Sequence, residues 1–252
     1  MTGRLQGKFA LITGGTTGIG FASANLFVGQ GARVAITGQS VERLARAGSA
    51  LGPAATAIRC DARDITGIES LAQQISGSFG ALDVLFLNAG IAPYSDLAGV
   101  TEATFDTAFA VNVKHVLFTV QRFVPLLRRG SSVIVTTSIN NRIGMAKTHV
   151  YSATKAAAGS LVRTLAGELA ERGIRVNALS PGPVVTEIGA TTGLSEVEGR
   201  TVANMAVSKV PMRRFAAADE LARAALFLAS DDSSFVTGQE LVADGGWTGV
   251  GG

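Results

Sequence analysis

Thr13-Gly14-Gly15-Thr16-Thr17-Gly18-Ile19-Gly20 follows directly on the apolar run Phe9–Thr13 and opens a segment of helical spacing, Gly18–Val28. Glycines there let the chain turn tightly and bring main-chain N–H groups against a pyrophosphate, and the helix N-terminus adds its dipole. Glycines also make ordinary turns, so the stretch alone is weak evidence. Its position decides the matter: it sits in the first strand-to-helix unit, where dinucleotide folds hold their phosphates. Gly14, Thr16, Thr17, Gly18, Ile19 and Gly20 are the candidate contacts.

Outward from this turn, strand-like runs recur at Arg33–Thr37, Thr56–Cys60, Val84–Asn88, Ser132–Thr137, Arg175–Leu179 and Glu240–Ala243. Each is short and apolar on both faces, as in a parallel sheet covered by helices on two sides. Helical spacing fills the intervals, for example at Ile68–Ser76 and Phe105–Leu127. The alternation predicts repeated βαβ units in a doubly wound, seven-stranded α/β sheet. No Pro/Gly/Ser-rich linker interrupts it, so residues 1–252 are read as one domain. The segment at about 183–214 breaks the rhythm, and its length and glycines predict a loop that closes over bound ligands. The tail Thr248–Gly252 is expected either to fray or to touch a neighbouring subunit.

Composition excludes several functions. Hydrophobic residues make up 47% of the 252, enough for a sizeable core, and the net charge is only +3. The pairs Arg128-Arg129 and Arg213-Arg214 are isolated, so no nucleic-acid surface is expected. Cys60 is the single cysteine; it reads as a small buried residue and makes an internal disulfide impossible. No apolar run approaches a membrane span or a signal peptide, and a cytoplasmic protein is expected. The two histidines, His115 and His149, lack a third ligand at a recognisable spacing, and no metal is expected. His115 reads as a packing or surface residue. For His149, two positions before Tyr151, a surface place is favoured over one in the cleft.

The glycine spacing differs from G-x-G-x-x-G and resembles the T-G-x-x-x-G-x-G of the short-chain dehydrogenase/reductase family. Further motifs carry the resemblance along almost the whole chain: Asp61, Asn88-Ala89-Gly90, Asn112, Ser138, Tyr151-x-x-x-Lys155, Pro181-Gly182 and Asp244-Gly245-Gly246. Together they imply a Rossmann fold and a nicotinamide-dependent oxidoreductase acting on a small carbonyl or alcohol. The resemblance also implies an adenine contact at Asp61 with Ala62 beside it, and a strand-end support at Asn88, Ala89 and Gly90. Pro181, Gly182, Val184 and Thr186 are placed beside the nicotinamide. Asn112 is implied to disturb its helix and to hold a water that links Lys155 to solvent. A homotetramer, built through the Phe105–Leu127 and Tyr151–Glu171 helices, is implied as well.

Carbonyl reduction needs hydride at carbon and a proton at oxygen, and a cofactor performs the first. Tyr151 suits the second if its pKa, ordinarily about 10, is brought down. Lys155 lies four residues later, on the same face of a helix, where an ammonium favours phenolate; an oxidised nicotinamide, being positive, would push the same way. Ser138 closes the fifth strand on the edge where open α/β sheets bind ligands. Each has a plain alternative: Tyr and Lys as a surface pair, Ser138 as a strand cap, Asn112 as a helix interruption. Their coincidence with the phosphate turn favours the set Asn112, Ser138, Tyr151 and Lys155 as catalytic, with Tyr151 and Lys155 also contacting cofactor.

Substrate determinants are expected at Ser138, Asn140, Met145 and Tyr151 and in the segment after Gly182, with Val184 and Tyr94 as further candidates. A ketone/secondary alcohol is the leading substrate class. A β-ketoacyl thioester reductase uses the same residues, and a silent dinucleotide sensor would keep the fold but lose Tyr or Lys. A nucleotide-sugar epimerase or dehydratase would carry a longer C-terminal part. For the cofactor, Thr37-Gly38-Gln39-Ser40 follows the second strand and offers no carboxylate to bind a free 2′-hydroxyl. Gln39, Ser40 and the Thr37 hydroxyl, with Arg43 one turn on, favour NADP(H) over NAD(H), modestly, because a full cationic fork is missing.

Overall fold

The computed structural model describes residues 3–250, so Gly251 and Gly252 of the tail lie outside the described residues. Strands β1 (Phe9–Thr13), β2 (Arg33–Gly38), β3 (Ala55–Arg59), β4 (Leu82–Leu87), β5 (Leu127–Thr136), β6 (Arg175–Pro181) and β7 (Glu240–Ala243) form one sheet. Every strand pair is parallel, in the order β3-β2-β1-β4-β5-β6-β7. Residues of β1, β4 and β6 are buried without exception, and β1 and β4 accordingly run almost wholly apolar, while β6 buries Arg175, Asn177 and Ser180 as well.

Among the described residues there are eight α-helices: α1 (Gly18–Gly29), α2 (Val41–Leu51), α3 (Ile65–Phe79), α4 (Glu102–Phe109), α5 (His115–Phe123), α6 (His149–Leu169), α7 (Glu196–Lys209) and α8 (Ala218–Ala229). On one face, Leu71 of α3, Phe123 of α5 and Val162 of α6 pack with Leu85 and Val133. On the other, Phe27 of α1, Ala47 of α2 and Leu221 of α8 pack with Ile12, Phe86 and Ile134. Helix starts follow local chemistry: Ser40 and Thr101 accept from the backbone N–H three residues on, and Ser195 and Glu198 form a reciprocal capping box.

The chain runs outward from β1 to β3 and then returns to lay β4 on the other side of β1. Such a reversal leaves a crevice at the carboxyl ends of β1 and β4, because their following segments diverge. Gly14 and Asn88 stand there.

Four expectations need correction. Phe105–Leu127 is not one helix: five residues, Ala110–Lys114, form a π turn between α4 and α5, and Leu127 already belongs to β5. Strand β5 thus starts before Ser132. Its early part is held by Arg128, which donates through Nε to Asp83 Oδ1 at 2.9 Å, while Asp83 Oδ2 accepts from Phe9 N at 2.8 Å. Arg128 is therefore half of an ion pair with a buried carboxylate and not a merely solvated charge. The segment at about 183–214 is not a plain loop either, since it contains a short 3-10 helix, Glu187–Thr191, and the whole of α7. In the tail, Thr248 does not fray: its N–H and hydroxyl both donate to Asp244 Oδ2 at 2.7 Å.

Candidate active site

The glycine turn is built by close approach. Gly14 has φ +63°, and a Cβ there would stand 2.8 Å from Ala89 Cα; a Cβ on Gly20 would stand 2.2 Å from Gly14 O. Asn88 Nδ2 donates to Gly14 O at 3.1 Å, tying the turn to the end of β4. Thr17, the N-cap of α1, makes no side-chain capping bond, so the first-turn N–H groups keep their capacity for an anion. Two adjoining cavities, about 260 Å³ and 330 Å³, share Gly14, Thr16, Arg43, Ala89 and Gly90. Together they run from Gln39 and Ala62 at one end to Tyr151 and Lys155 at the other. A dinucleotide fits this continuous groove and the free helix N-terminus at its middle.

At the first end, Gly38, Gln39, Ser40, Ala62 and Thr37 line the groove. A Cβ on Gly38 would lie 2.8 Å from Thr16 Cγ2, so a side chain there requires Thr16 to move. Gln39 Nε2 donates to Asp61 Oδ1 at 2.9 Å, and Arg63 holds the same carboxylate through Nε and Nη2. This lowers the Asp61 pKa, chiefly through the Arg63 bond. Arg43 reaches across the groove to Glu187 at 3.3 Å. Neither Arg63 nor Glu187 was expected from the sequence, because both pairings join segments that are separate in the chain or lie outside any motif.

At the other end, Ser138, Tyr151 and Lys155 line one cavity with Asn88, Gly90, Pro181, Gly182, Val184 and Thr186. Ser138 Oγ accepts from Asn140 N at 3.2 Å, which fixes its place at the end of β5. Lys155 is 3% exposed and donates from Nζ to Thr136 O at 2.8 Å; its Nζ lies 5.7 Å from the centre of the Tyr151 ring. Burial lowers the Lys155 pKa to about 8. The Tyr151 pKa is raised by burial, with the Ser138 hydroxyl pulling the other way. Burial of the phenol therefore sets the direction of the shift, opposite to the lowering expected from Lys155.

Asn112 lies in the π turn and is buried. Its Oδ1 accepts from Ile91 N at 3.0 Å, and its Nδ2 donates to Ile91 O at 2.9 Å and Thr154 Oγ1 at 3.0 Å. The side chain therefore joins the segment after β4 to α6. A Cβ on Gly90 would lie 3.3 Å from both Asn112 Oδ1 and Lys155 Nζ, so glycine is what lets the two flank that backbone.

His115 is neither a surface residue nor a simple packing one. Thr13 Oγ1 accepts from Asn88 N at 3.1 Å and Ala89 N at 3.2 Å, and so must give its own proton to His115 Nε2, 3.2 Å away. That assigns the ring proton to Nδ1, which donates to Thr119 Oγ1 at 3.1 Å. Neutral His115 thereby braces the turn that carries Asn88. Burial lowers its pKa to about 4, with Asp61 opposing weakly. Between pH 6.5 and 4 the unfolded chain binds this proton and the folded one does not, so stability falls as pH drops through that window, by about 3 kcal/mol at the lower end. Denaturant unfolding of the wild type and of His115→Gln at several pH values checks this; the variant should show a flatter dependence, and equal slopes would refute it. His149, in contrast, is exposed and lines neither cavity. Cys60 is half-buried, and burial raises its thiol to about 11, far from a thiolate nucleophile.

Beside Tyr151 opens a further cavity of about 520 Å³. The expected residues Ser138, Asn140, Met145, Val184 and Tyr94 all line it, and so do Leu194, Val202, Phe215 and Trp247, which the sequence had not singled out. Trp247 arrives through the Asp244-Gly245-Gly246 turn, whose glycines have φ +65° and +93°. The signal available in advance was a lone tryptophan next to that turn.

The chain matches, over residues 14–248, the family model described as Enoyl-(Acyl carrier protein) reductase. Among curated relatives, Oxidoreductase asL5 of Sarocladium schorii is 39% identical over 245 residues, covering 96% of each chain. Galactitol 2-dehydrogenase of Agrobacterium fabrum is 34% identical over 255 residues, covering 96% of this chain and 98% of its own. Among solved structures, a dehydrogenase/reductase from Sinorhizobium meliloti 1021 has a TM-score of 0.90 at 32% identity, covering 97% of this chain and 96% of that one. Among the described residues, no helix is long and apolar enough to cross a membrane.

Proposed function

The chain belongs to the short-chain dehydrogenase/reductase family of oxidoreductases, and on that premise we propose that it interconverts a ketone and a secondary alcohol, with Tyr151 as acid and base. The observation that carries this reading is the meeting of Ser138, Tyr151 and Lys155 where the groove joins the large cavity. When bound, the nicotinamide cofactor supplies or accepts the hydride.

The rest of the chemistry falls to the chain. A raised pKa keeps the Tyr151 phenol protonated near neutral pH, in the form that gives a proton to a carbonyl oxygen. Ser138 supplies a second hydrogen bond to that oxygen. Lys155, at about 8, is still largely an ammonium at pH 7, and stabilises the phenolate as it forms. Its bond to Thr136 O aims it, and Asn112 fixes the wall opposite. In the proposed assignment, Asn112 in its π turn also holds the water through which Lys155 exchanges protons with solvent.

NADP(H) is proposed over NAD(H). Support comes from the turn at 37–40, which has no carboxylate, and from Arg43, a cation lining both halves of the groove. Arg43 must leave Glu187 to meet a 2′-phosphate; an exposed ion pair of this kind holds it by only about 0.2–1 kcal/mol. With one ketone, kcat/KM for NADPH should exceed that for NADH by about threefold to thirtyfold, and Arg43→Ala should cut the NADPH value more than the NADH value. A wild type that prefers NADH overturns the assignment. Absence of turnover with either cofactor across a panel of ketones and alcohols overturns the reaction itself.

The proposal extends to assembly and place: a cytoplasmic homotetramer built through the α4–α5 and α6 faces. Phe105 and Leu117, on those helices, are 44% and 39% exposed, as apolar residues awaiting a partner surface would be.

A further inference from the structure

We propose that the 520 Å³ cavity selects a neutral carbonyl compound that is apolar except at its reacting end and free in solution, excluding polyols and anionic carrier-bound thioesters. This deepens the ketone/alcohol reading and rests on it. The volume lies within the range of about 300–1,000 Å³ that encloses ligands of drug-like size, well beyond the needs of a three- or four-carbon ketone.

The walls supply little to polar groups. Met145, Leu194, Val202, Phe215 and Trp247 present apolar surface. Three of the hydroxyls between them are already committed to the protein. Thr148 Oγ1 donates to Met145 O at 2.7 Å, Thr192 Oγ1 to Gly189 O at 2.6 Å, and Ser195 Oγ to Glu198 Oε2 at 2.6 Å. A hexitol brought against these walls would lose water from more hydroxyls than the Tyr94 hydroxyl, the Trp247 indole and the Asn140 amide can replace, at a cost of about 1–3 kcal/mol for each one left unpaired.

Charge excludes a second class. No Lys, Arg or His is among the described residues lining the cavity. Its one carboxylate, Glu196, is exposed and paired with Arg200. The phosphate of a thioester, at the far end of its pantetheine arm, would stand at or beyond the mouth, and the lining offers it no counter-charge there.

The Asn140 amide is an uncommitted donor next to the reacting group. Asn140 accepts at Oδ1 from Ser138 Oγ at 3.4 Å, while its Nδ2 has only the Met145 sulfur, 3.9 Å away. A sulfur acceptor is weak. The amide is thus free to bind an oxygen of the substrate near the one held by Ser138 and Tyr151. The polar atoms of the substrate are placed at that end and its hydrocarbon against the far walls.

Trp247 makes the test direct, because it is the only tryptophan of the chain and stands in the cavity wall. Its emission is titrated with three neutral ketones (1-decalone, cyclododecanone and 4-phenyl-2-butanone), with a hexitol, and with acetoacetyl-coenzyme A. Turnover of each is measured with NADPH and NADH. At least one ketone should bind tenfold or more tightly than the hexitol and the thioester, and be turned over with at least a hundredfold higher kcat/KM. Val202→Arg should weaken ketone binding at least tenfold and narrow the gap to the thioester. The proposal is overturned if the hexitol or the thioester binds as tightly as the best ketone, or if no ketone changes the emission. Preferred turnover of the thioester would sink the selectivity and leave carbonyl reduction standing. Saturable ketone binding with no turnover of any compound would sink the reaction and leave the selectivity standing.

Discussion

Tyr151→Phe should lower kcat for ketone reduction by about a hundredfold to ten-thousandfold, with the dinucleotide Kd changed less than about threefold. The phenol is the one group in the groove placed to give a proton to a substrate oxygen while facing Lys155 across 5.7 Å. Removing its hydroxyl takes away both the proton and a hydrogen bond to the oxygen as charge develops there. The ring itself stays, so the half-buried wall of the cavity keeps its shape and the cofactor groove keeps its lining. Single-turnover reduction, followed by loss of dinucleotide absorbance, separates this loss from changes in binding. A Phe variant with near-normal turnover would remove Tyr151 from the mechanism.

Gly20→Ala should weaken dinucleotide binding by about a hundredfold or more, equivalent to about 3 kcal/mol. Its Cβ would lie 2.2 Å from Gly14 O and 2.6 Å from Asn88 Nδ2. Those two atoms are the partners of the 3.1 Å bond that ties the turn to β4, so one methyl both displaces the turn and breaks its tether. Gly29→Ala on the same helix is the control. A Cβ there meets nothing within 4 Å, and the exchange favours helix, so affinity should hold while stability rises slightly. Calorimetric titration with NADPH and NADH measures both variants. Equal affinity for Gly20→Ala and wild type would mean the turn does not carry the phosphates.

How much of this was legible in advance follows the range of the interactions. Strand β1 is legible to the residue, because a buried parallel strand writes itself as a short unbroken apolar run. Strand β5 was misjudged at its start: Arg128 looks like surface until Asp83, forty-five residues earlier, comes beside it. The π turn at Ala110–Lys114 was invisible to helical spacing, since one added residue per turn hardly disturbs an apolar pattern. The long segment after Pro181 read as a glycine-rich loop, yet the capping box of Ser195 and Glu198 starts a fourteen-residue helix inside it.

The site divides the same way. Sequence by itself determined the residues whose relations are local: the glycines of the turn between β1 and α1, the four-residue step from Tyr151 to Lys155, and the Ser138 strand end. One helix or one turn sets these geometries, so spacing along the chain is spacing in space. Only the tertiary structure decided that His115 is a neutral brace holding Thr13, that Arg43 spans the groove to Glu187, and that Trp247 closes a cavity with Val202 and Met145. It also decided the sign of the Tyr151 shift, because desolvation depends on everything packed around a group and not on its neighbours in the chain. Contacts between elements brought together by a parallel sheet have no period and no fixed separation, and a sequence carries no local mark of them.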